Sequence, residues 1–317
     1  MKKCISALCL LIAVALVPFA AQAADWPTKP VTIVVSYAAG GTHDTMARIL
    51  VPHMEKELGV KVIVKNSSGA AGTIGAAEAA NAKPDGHTLY IFTGGPCIMQ
   101  PAVRKLPYGP ESFTLVSQVF NTPHALMVRK DSEFKTLDDF IKAANAKPGE
   151  LLVSVIGVAS TPHLNLLAFC KAYNIKIKVM SERTGAEAMK NLAGGTLHAS
   201  LDNEAYVPRF DMRGLVRFSP TRSPEANLAD IPSTKEFGKD VYWSAWTGVA
   251  GPKGMPDAVV KKLDTIFAKI MKEPQVQALA KQNGLYAEYI PTAEFRSFVK
   301  KETGKIMEVL KESGLLQ

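Results

Sequence analysis

Short β-branched runs alternate with amphipathic helical segments through most of this 317-residue chain. Residues 31–37 form the first such run. Residues 45–58 then place Met46, Ile49, Leu50, Met54 and Leu58 close to helical spacing, and Gly59 supplies the stop. A strand over 62–64, an alanine-rich helix over 73–82, the turn Pro84-Asp85-Gly86 and a strand over 88–92 complete a βαβαβ unit. That unit dictates parallel strands with right-handed crossovers, because each helix must pack back on the sheet it left. The rhythm resumes with a strand over 125–129 and a helix over 137–146 that opens near Thr136. A strand over 151–155, a loop over 157–161 and a helix over 162–173 follow. Pro162 suits the first turn of that helix, where its missing N–H is not needed. Segments 175–180, 186–192, 196–201 and 215–219 continue the alternation, and the last quarter reads as helices over 257–271, 274–282 and 292–313.

The two βαβ blocks meet near Thr122-Pro123. The final helices have no sheet of their own in this reading, so they are expected to pack on the first block. The expected fold is α/β, with two lobes, each a βαβ-rich sheet flanked by helices, and a ligand cleft between them. Lobe 1 comprises 24–123 plus 242–317, lobe 2 comprises 124–241, and the return crossing falls near 242–250. Two crossings between two lobes make a hinge.

The N-terminus reads as an export leader. Lys2 and Lys3 precede an apolar stretch over 5–20, and Ala21-Gln22-Ala23 is a small-x-small cleavage signal. Cleavage after Ala23 places the protein in the periplasm; a retained N-terminal anchor is the alternative. Loss of two lysines takes the formal net charge from +8 to about +6. The remaining basic residues are scattered without aromatic interleaving, which argues against a nucleic-acid groove. Cys97 and Cys170 survive processing and either pair or serve as small buried hydrophobes. No CxxC, HExxH or Cys/His cluster signals a metal, and no cofactor motif is present.

Ligands of open α/β sheets bind beyond the carboxyl ends of the strands. Four loops have that placement: 38–44 (AAGGTHD), 67–72 (SSGAAG), Thr93-Gly94-Gly95, and 154–163 (SVIGVASTPH). Each mixes small and hydroxyl residues near a helix start, where free N–H groups and the positive end of the dipole suit an anion. A Gly-Gly between strand and helix is equally often only a tight turn. The spacing is neither GxGxxG nor a P-loop. Thr42 and Asp44 read as helix caps. His43 has no nucleophile elbow to serve, and His163 reads as a local hydrogen-bonding residue or a ligand-lining one. His53, His87, His124 and His198 carry no signal.

The segments DWPTKPVTIVVSYAAGGTHDTMAR, VKNSSGAAGTIGAAEAANAKPDGHTL, LPYGPESFTLVSQV, AKPGELLVSVIGVASTPHLNLLAF, LAGGTLHASLDN, DIPSTKEFG and WTGVAGPKGMPDAVVKKL stand in order at family spacing. They resemble the periplasmic solute-binding proteins of tripartite tricarboxylate transporters, the Bug or TctC-like family, over essentially the whole mature chain. The resemblance implies a type II-like periplasmic binding protein fold that closes on a small organic anion, as a monomer serving membrane permease subunits. It places Tyr37, Ala38, Ala39, Gly40, Gly41, Thr42 and Asp44 in a first carboxylate-binding turn. Gly69, Thr93 and Gly94 belong to the neighbouring loops. Ser154, Gly157, Ala159, Ser160 and His163 form an S-x-x-G-x-x-S-x-x-H element in the second lobe, and Asp202 stands at a strand end facing the cleft.

Departures from the family pattern concern the ligand. The proline of its P-G-G turn is Ala39 here, and its V-P-Y-K-G segment has become VMSERTG over 179–185. Arg183 there is expected to pair with a second ligand carboxylate or to stay solvated. Transport and presentation to a signalling receptor remain alternatives. An ester hydrolase built on Ser154, Ser160, His163 and Asp202 would lack an elbow, a metal or a cofactor.

Overall fold

The computed structural model describes residues 26–239, 241–243 and 245–316, so the leader read over 1–23 lies outside the described residues. The chain begins with β1 (Val31–Val35), α1 (Thr42–Leu58), β2 (Val62–Asn66), α2 (Thr73–Ala80), β3 (Thr88–Thr93), α3 (Gln100–Val103) and β4 (Phe113–Thr122). It continues through β5 (His124–Arg129), α4 (Leu137–Ala146), β6 (Leu152–Ile156), α5 (Thr161–Tyr173), β7 (Lys178–Glu182), α6 (Gly185–Ala193), β8 (Ala199–Asn203), α7 (Tyr206–Arg209) and β9 (Met212–Phe218). It ends with β10 (Ala245–Pro252), α8 (Asp257–Ile270), α9 (Pro274–Gln282), β11 (Tyr286–Ile290) and α10 (Thr292–Glu312).

The strands form two sheets, ordered β11-β4-β10-β3-β1-β2 and β7-β6-β8-β5-β9. The first crossing between them is a single residue. Pro123 separates β4 from β5, and proline, lacking an N–H, cannot continue a ladder. The return crossing lies between β9 and β10. Within the first sheet β1 pairs in parallel with β2 and β3; within the second, β6 pairs in parallel with β7 and β8.

Both faces of each sheet are covered, which explains why the central strands read as continuous apolar runs. Val31, Ile33 and Val35 alternate toward a core shared with α1, α8 and α9, while Val34, Tyr90 and Phe92 face α2 and α10. In the second sheet Leu126, Val153, Val155 and Leu201 meet α4 and α5, and Ala125 and Met127 meet α6. Local signals set the helix ends. Thr136 accepts from Asp139 N and Asp139 returns a bond to Thr136 N, a capping box opening α4, while Gly59 ends α1 in the left-handed region.

Three strands of the first sheet depart from the sequence reading, and in the second sheet β5 is antiparallel to both of its neighbours. β4, β10 and β11 are antiparallel members of the first sheet, so the last quarter of the chain contributes two strands as well as helices. β10 is disguised by glycine. A Cβ on Gly248 would lie 2.3 Å from the Phe295 ring and 3.0 Å from Ser117 O, so the strand keeps glycine where α10 presses on the sheet. Gly248→Ala is expected to lower unfolding free energy by about 1–3 kcal/mol, measured as a lower urea midpoint with unchanged slope.

Candidate functional site

The carboxyl ends of β1, β2 and β3 share one edge of the first sheet, and those of β6, β7 and β8 share one edge of the second. All four loops singled out in the sequence lie at these edges. The turn after β1 is organised by Asp44, which is buried although it is a carboxylate. Its Oδ2 accepts from Gly40 N at 2.8 Å and from Arg48 Nε at 2.8 Å, and its Oδ1 accepts from Asn66 Nδ2 at 3.0 Å. Burial alone would raise its pKa, but these donors together hold it below the usual carboxylate value. Gly40 takes a left-handed φ of 79°, which glycine adopts without strain.

Gly41, not Thr42, occupies the N-cap of α1, and its N–H bonds to Ala38 O at 3.2 Å. The Thr42 hydroxyl lies instead beside Tyr206 of the second lobe. Among the described residues nothing accepts from the N–H groups of Ala39, Thr42 and His43. Thr42 and His43 open the first turn of a 17-residue helix, whose leading N–H groups have no intrahelical acceptor, and Ala39 lies in the turn just before it. The His43 ring stacks on Tyr37 at 4.5 Å. Burial pushes the His43 pKa down to about 4. His124, buried beside it, is pushed to about 3 by burial and then by His43. Both imidazoles are therefore neutral at neutral pH.

Gly69 lies exposed on the neighbouring loop, and Thr93 closes β3 beside the Tyr37 hydroxyl. The side-chain position of Gly94 faces Met99, Trp246 and Ile306 of the core. A π-helical turn, Gly95–Met99, then leads into Gln100. Cys97 and Cys170 are free, and burial raises each thiol to about 12, which leaves both in the unreactive form.

Across the cleft, Ser154 lies within β6 rather than in the loop. It is fully buried, and its Oγ donates to Ser200 Oγ at 2.9 Å. The loop itself is tightly tied. Ser160 caps α5, accepting from His163 N at 3.3 Å and donating to Gly157 O at 2.8 Å. His163 Nδ1 accepts from Ala159 N at 3.0 Å, which assigns the ring proton to Nε2. Ala159 sits at a left-handed φ of 52°, an unusual conformation for alanine.

Gln100 of the first lobe donates to Val158 O at 2.8 Å and to Ala159 O at 3.2 Å. A second interlobe contact joins Tyr286 OH to Glu204 Oε1 at 2.7 Å. Glu204 is itself ion-paired with Arg217, and both are buried. Gly284 packs so closely on Ala205 that a Cβ there would lie 1.9 Å from the Ala205 Cβ. These contacts close the lobes on one another. Sequence reasoning missed Gln100, His124, Tyr206 and Tyr286, because their roles exist only where the two lobes meet.

Asp202 is buried in β8, where its Oδ1 accepts from Asn203 N at 2.7 Å; Oδ2 is enclosed without a partner among the described residues. Burial raises its pKa to about 7. Arg183 follows the end of β7 and is exposed. Among the described residues Arg217 is the only buried arginine or lysine, and Glu204 neutralises it. Two hollows lie away from these residues. One, of about 230 Å³, is behind the hinge between Pro123, Phe218 and Tyr242; the other, of about 380 Å³, lies around Tyr286 and Lys281. Neither is lined by the strand-to-helix turns after β1 or β6.

A closed interlobe cleft with inward helix N-termini is the arrangement of a two-lobed extracytoplasmic binding protein, and known proteins agree. The family model described as tripartite tricarboxylate transporter family receptor, TctC, matches residues 46–315. The chain belongs to that family of periplasmic solute-binding proteins, which are not enzymes. It is 26% identical to Protein BugT of Bordetella pertussis over 99% of this chain and 98% of that protein. It is 27% identical to a UPF0065 protein of Cupriavidus necator, covering 98% and 95%. Among solved structures, a protein of R. palustris with adipate superposes with a TM-score of 0.83 at 28% identity, over 91% of this chain and 98% of the other. MatC from Rhodopseudomonas palustris with bound malate gives 0.80 at 26% identity, over 90% and 100%.

Two expectations follow from the geometry. Asp44→Ala strands Gly40 N and leaves Asn66 Nδ2 only its bond to Tyr37 O, so it is expected to cost about 1–3 kcal/mol and to speed hydrogen exchange at the Gly40 amide. Asp202 has a raised folded pKa, so its favourable contribution is lost as pH rises through about 7. Asp202→Asn is therefore expected to be more stable than the parent at pH 8, with the gain fading toward pH 5, in parallel denaturation series.

Proposed function

We propose that this protein captures a small organic carboxylate in the interlobe cleft and delivers it to the membrane permease subunits of a tripartite transporter. The observation that carries this reading is the pair of strand-to-helix turns facing each other across the closed lobes. The ligand carboxylate rests on the free N–H groups of Ala39, Thr42 and His43, framed by Tyr37, Ala38, Gly40, Gly41 and Asp44. Gly157, Ala159, Ser160 and His163 form the opposite wall, with Gly69, Thr93, Gly94, Ser154 and Asp202 around it. Fixed dipoles replace a charged side chain, so an anion is held without a buried ion pair to break on release. The adipate and malate held by the related structures support an organic acid as ligand.

The lobes divide as 24–123 with 242–317, and 124–241. The protein works as a monomer in the periplasm after cleavage behind residue 23. Arg183, exposed at the end of β7, meets the distal carboxylate of a diacid at the cleft rim.

Thermal-shift screening of refolded protein against organic acids tests this function. A bound acid at about 100 times its dissociation constant is expected to add about 2.7 kcal/mol of stability. No shift with any acid would contradict it. Arg183→Ala is expected to weaken diacids by about 1 kcal/mol or less, since the side chain is exposed, and to spare monoacids in calorimetric titration.

A further inference from the structure

Gln100 is only 1% exposed, and its amide makes two hydrogen bonds to the opposite lobe, from Nε2 to Val158 O and Ala159 O. A carbonyl oxygen can only accept, so this pair of contacts fixes which end of the amide is nitrogen. The nitrogen faces the second lobe, and both of its protons have acceptors. The other end, Oε1, is enclosed and has no partner among the described residues. An enclosed acceptor without a donor is destabilising, and native structures rarely leave one bare.

Resting on the carboxylate reading above, we infer that the ligand carries a hydrogen-bond donor beside its carboxylate, and that Gln100 Oε1 accepts from it. The donor is a hydroxyl, an amide N–H or an ammonium group. Gln100 is thus a specificity-determining residue of the cleft. Its position couples recognition to closure. Residues 100 and 158 are 58 apart in the chain, and the clasp forms only when the lobes meet. A ligand with a donor fills the acceptor as the cleft shuts. A ligand without one leaves it bare in the closed form, so closure is penalised and affinity falls. A second ionised carboxylate at this point would face the negative end of the amide dipole and is disfavoured.

Calorimetric titration of the refolded protein with acids that differ by one donor tests the inference. Suitable pairs are malate with succinate, lactate with propionate, glutamate with glutarate, and 4-hydroxybenzoate with benzoate. In at least one pair the donor-bearing acid is expected to bind at least about tenfold tighter, the usual order for a site left with an unpaired buried group. Gln100→Met, which keeps length but removes the acceptor, is expected to bring that ratio within about twofold, with circular dichroism confirming the fold. The wild-type ratios require no variant and decide by themselves if Gln100→Met fails to fold. Binding of acids with both members of every pair within twofold would overturn the inference and leave the carboxylate reading standing. A ratio that survives Gln100→Met in folded protein would do the same. Absence of binding by every acid would overturn the carboxylate reading itself and the inference with it.

Discussion

Two sheets are joined by what is nearly one strand, broken at Pro123. β4 pairs within the first sheet and β5 within the second, so a single imino acid is the shortest link between two cores. Because β1 to β3 and β6 to β8 are each parallel, these three strands of each sheet present their strand-to-helix turns along one edge. Hinging the sheets at Pro123 turns those two edges toward one another. The cleft, the facing helix N-termini and the clasp at Gln100 all depend on this arrangement.

In the proposed reading, the first turn offers an anion backbone dipoles rather than a charged side chain. Its one buried carboxylate in the first turn, Asp44, is consumed by Gly40, Arg48 and Asn66, and serves to fix backbone. His43 and His124 are kept neutral by burial. The only buried cation among the described residues is locked to Glu204. What remains is a set of oriented dipoles, and dipoles fixed in a rigid turn bind an anion without reorganising. In the proposed reading, specificity is added by groups around that turn, Gln100 beside the carboxylate and Arg183 at the rim.

Much of the fold was legible because parallel βαβ units declare themselves. Their strands are buried on both faces and their helices carry caps, as at Thr136, Ser160 and Gly59. The antiparallel additions were not. β10 contains Gly248 and Gly251, where close packing replaces β-branched residues, and β11 is a short strand whose Glu288 is exposed. At the site, the glycines of the first turn pointed to exposed backbone; Asp44 was read as a cap, but Gly41 is the N-cap and Asp44 holds Gly40 N from within the helix. Thr42 was misread as a cap because a hydroxyl beside a helix start looks the same whether it folds back or lies beside the opposite lobe. Gln100 gave no signal within the apolar run before Pro101. Its partners lie on a loop that only tertiary structure brings near.

The most direct test of the cleft as the site is hydrogen–deuterium exchange followed with and without a tightly bound acid found by screening. Slowed exchange is expected at 38–44 and at 157–163 together, since one ligand must bridge both turns. Protection confined to the hollow around Pro123, Phe218 and Tyr242, with the two turns unchanged, would contradict it.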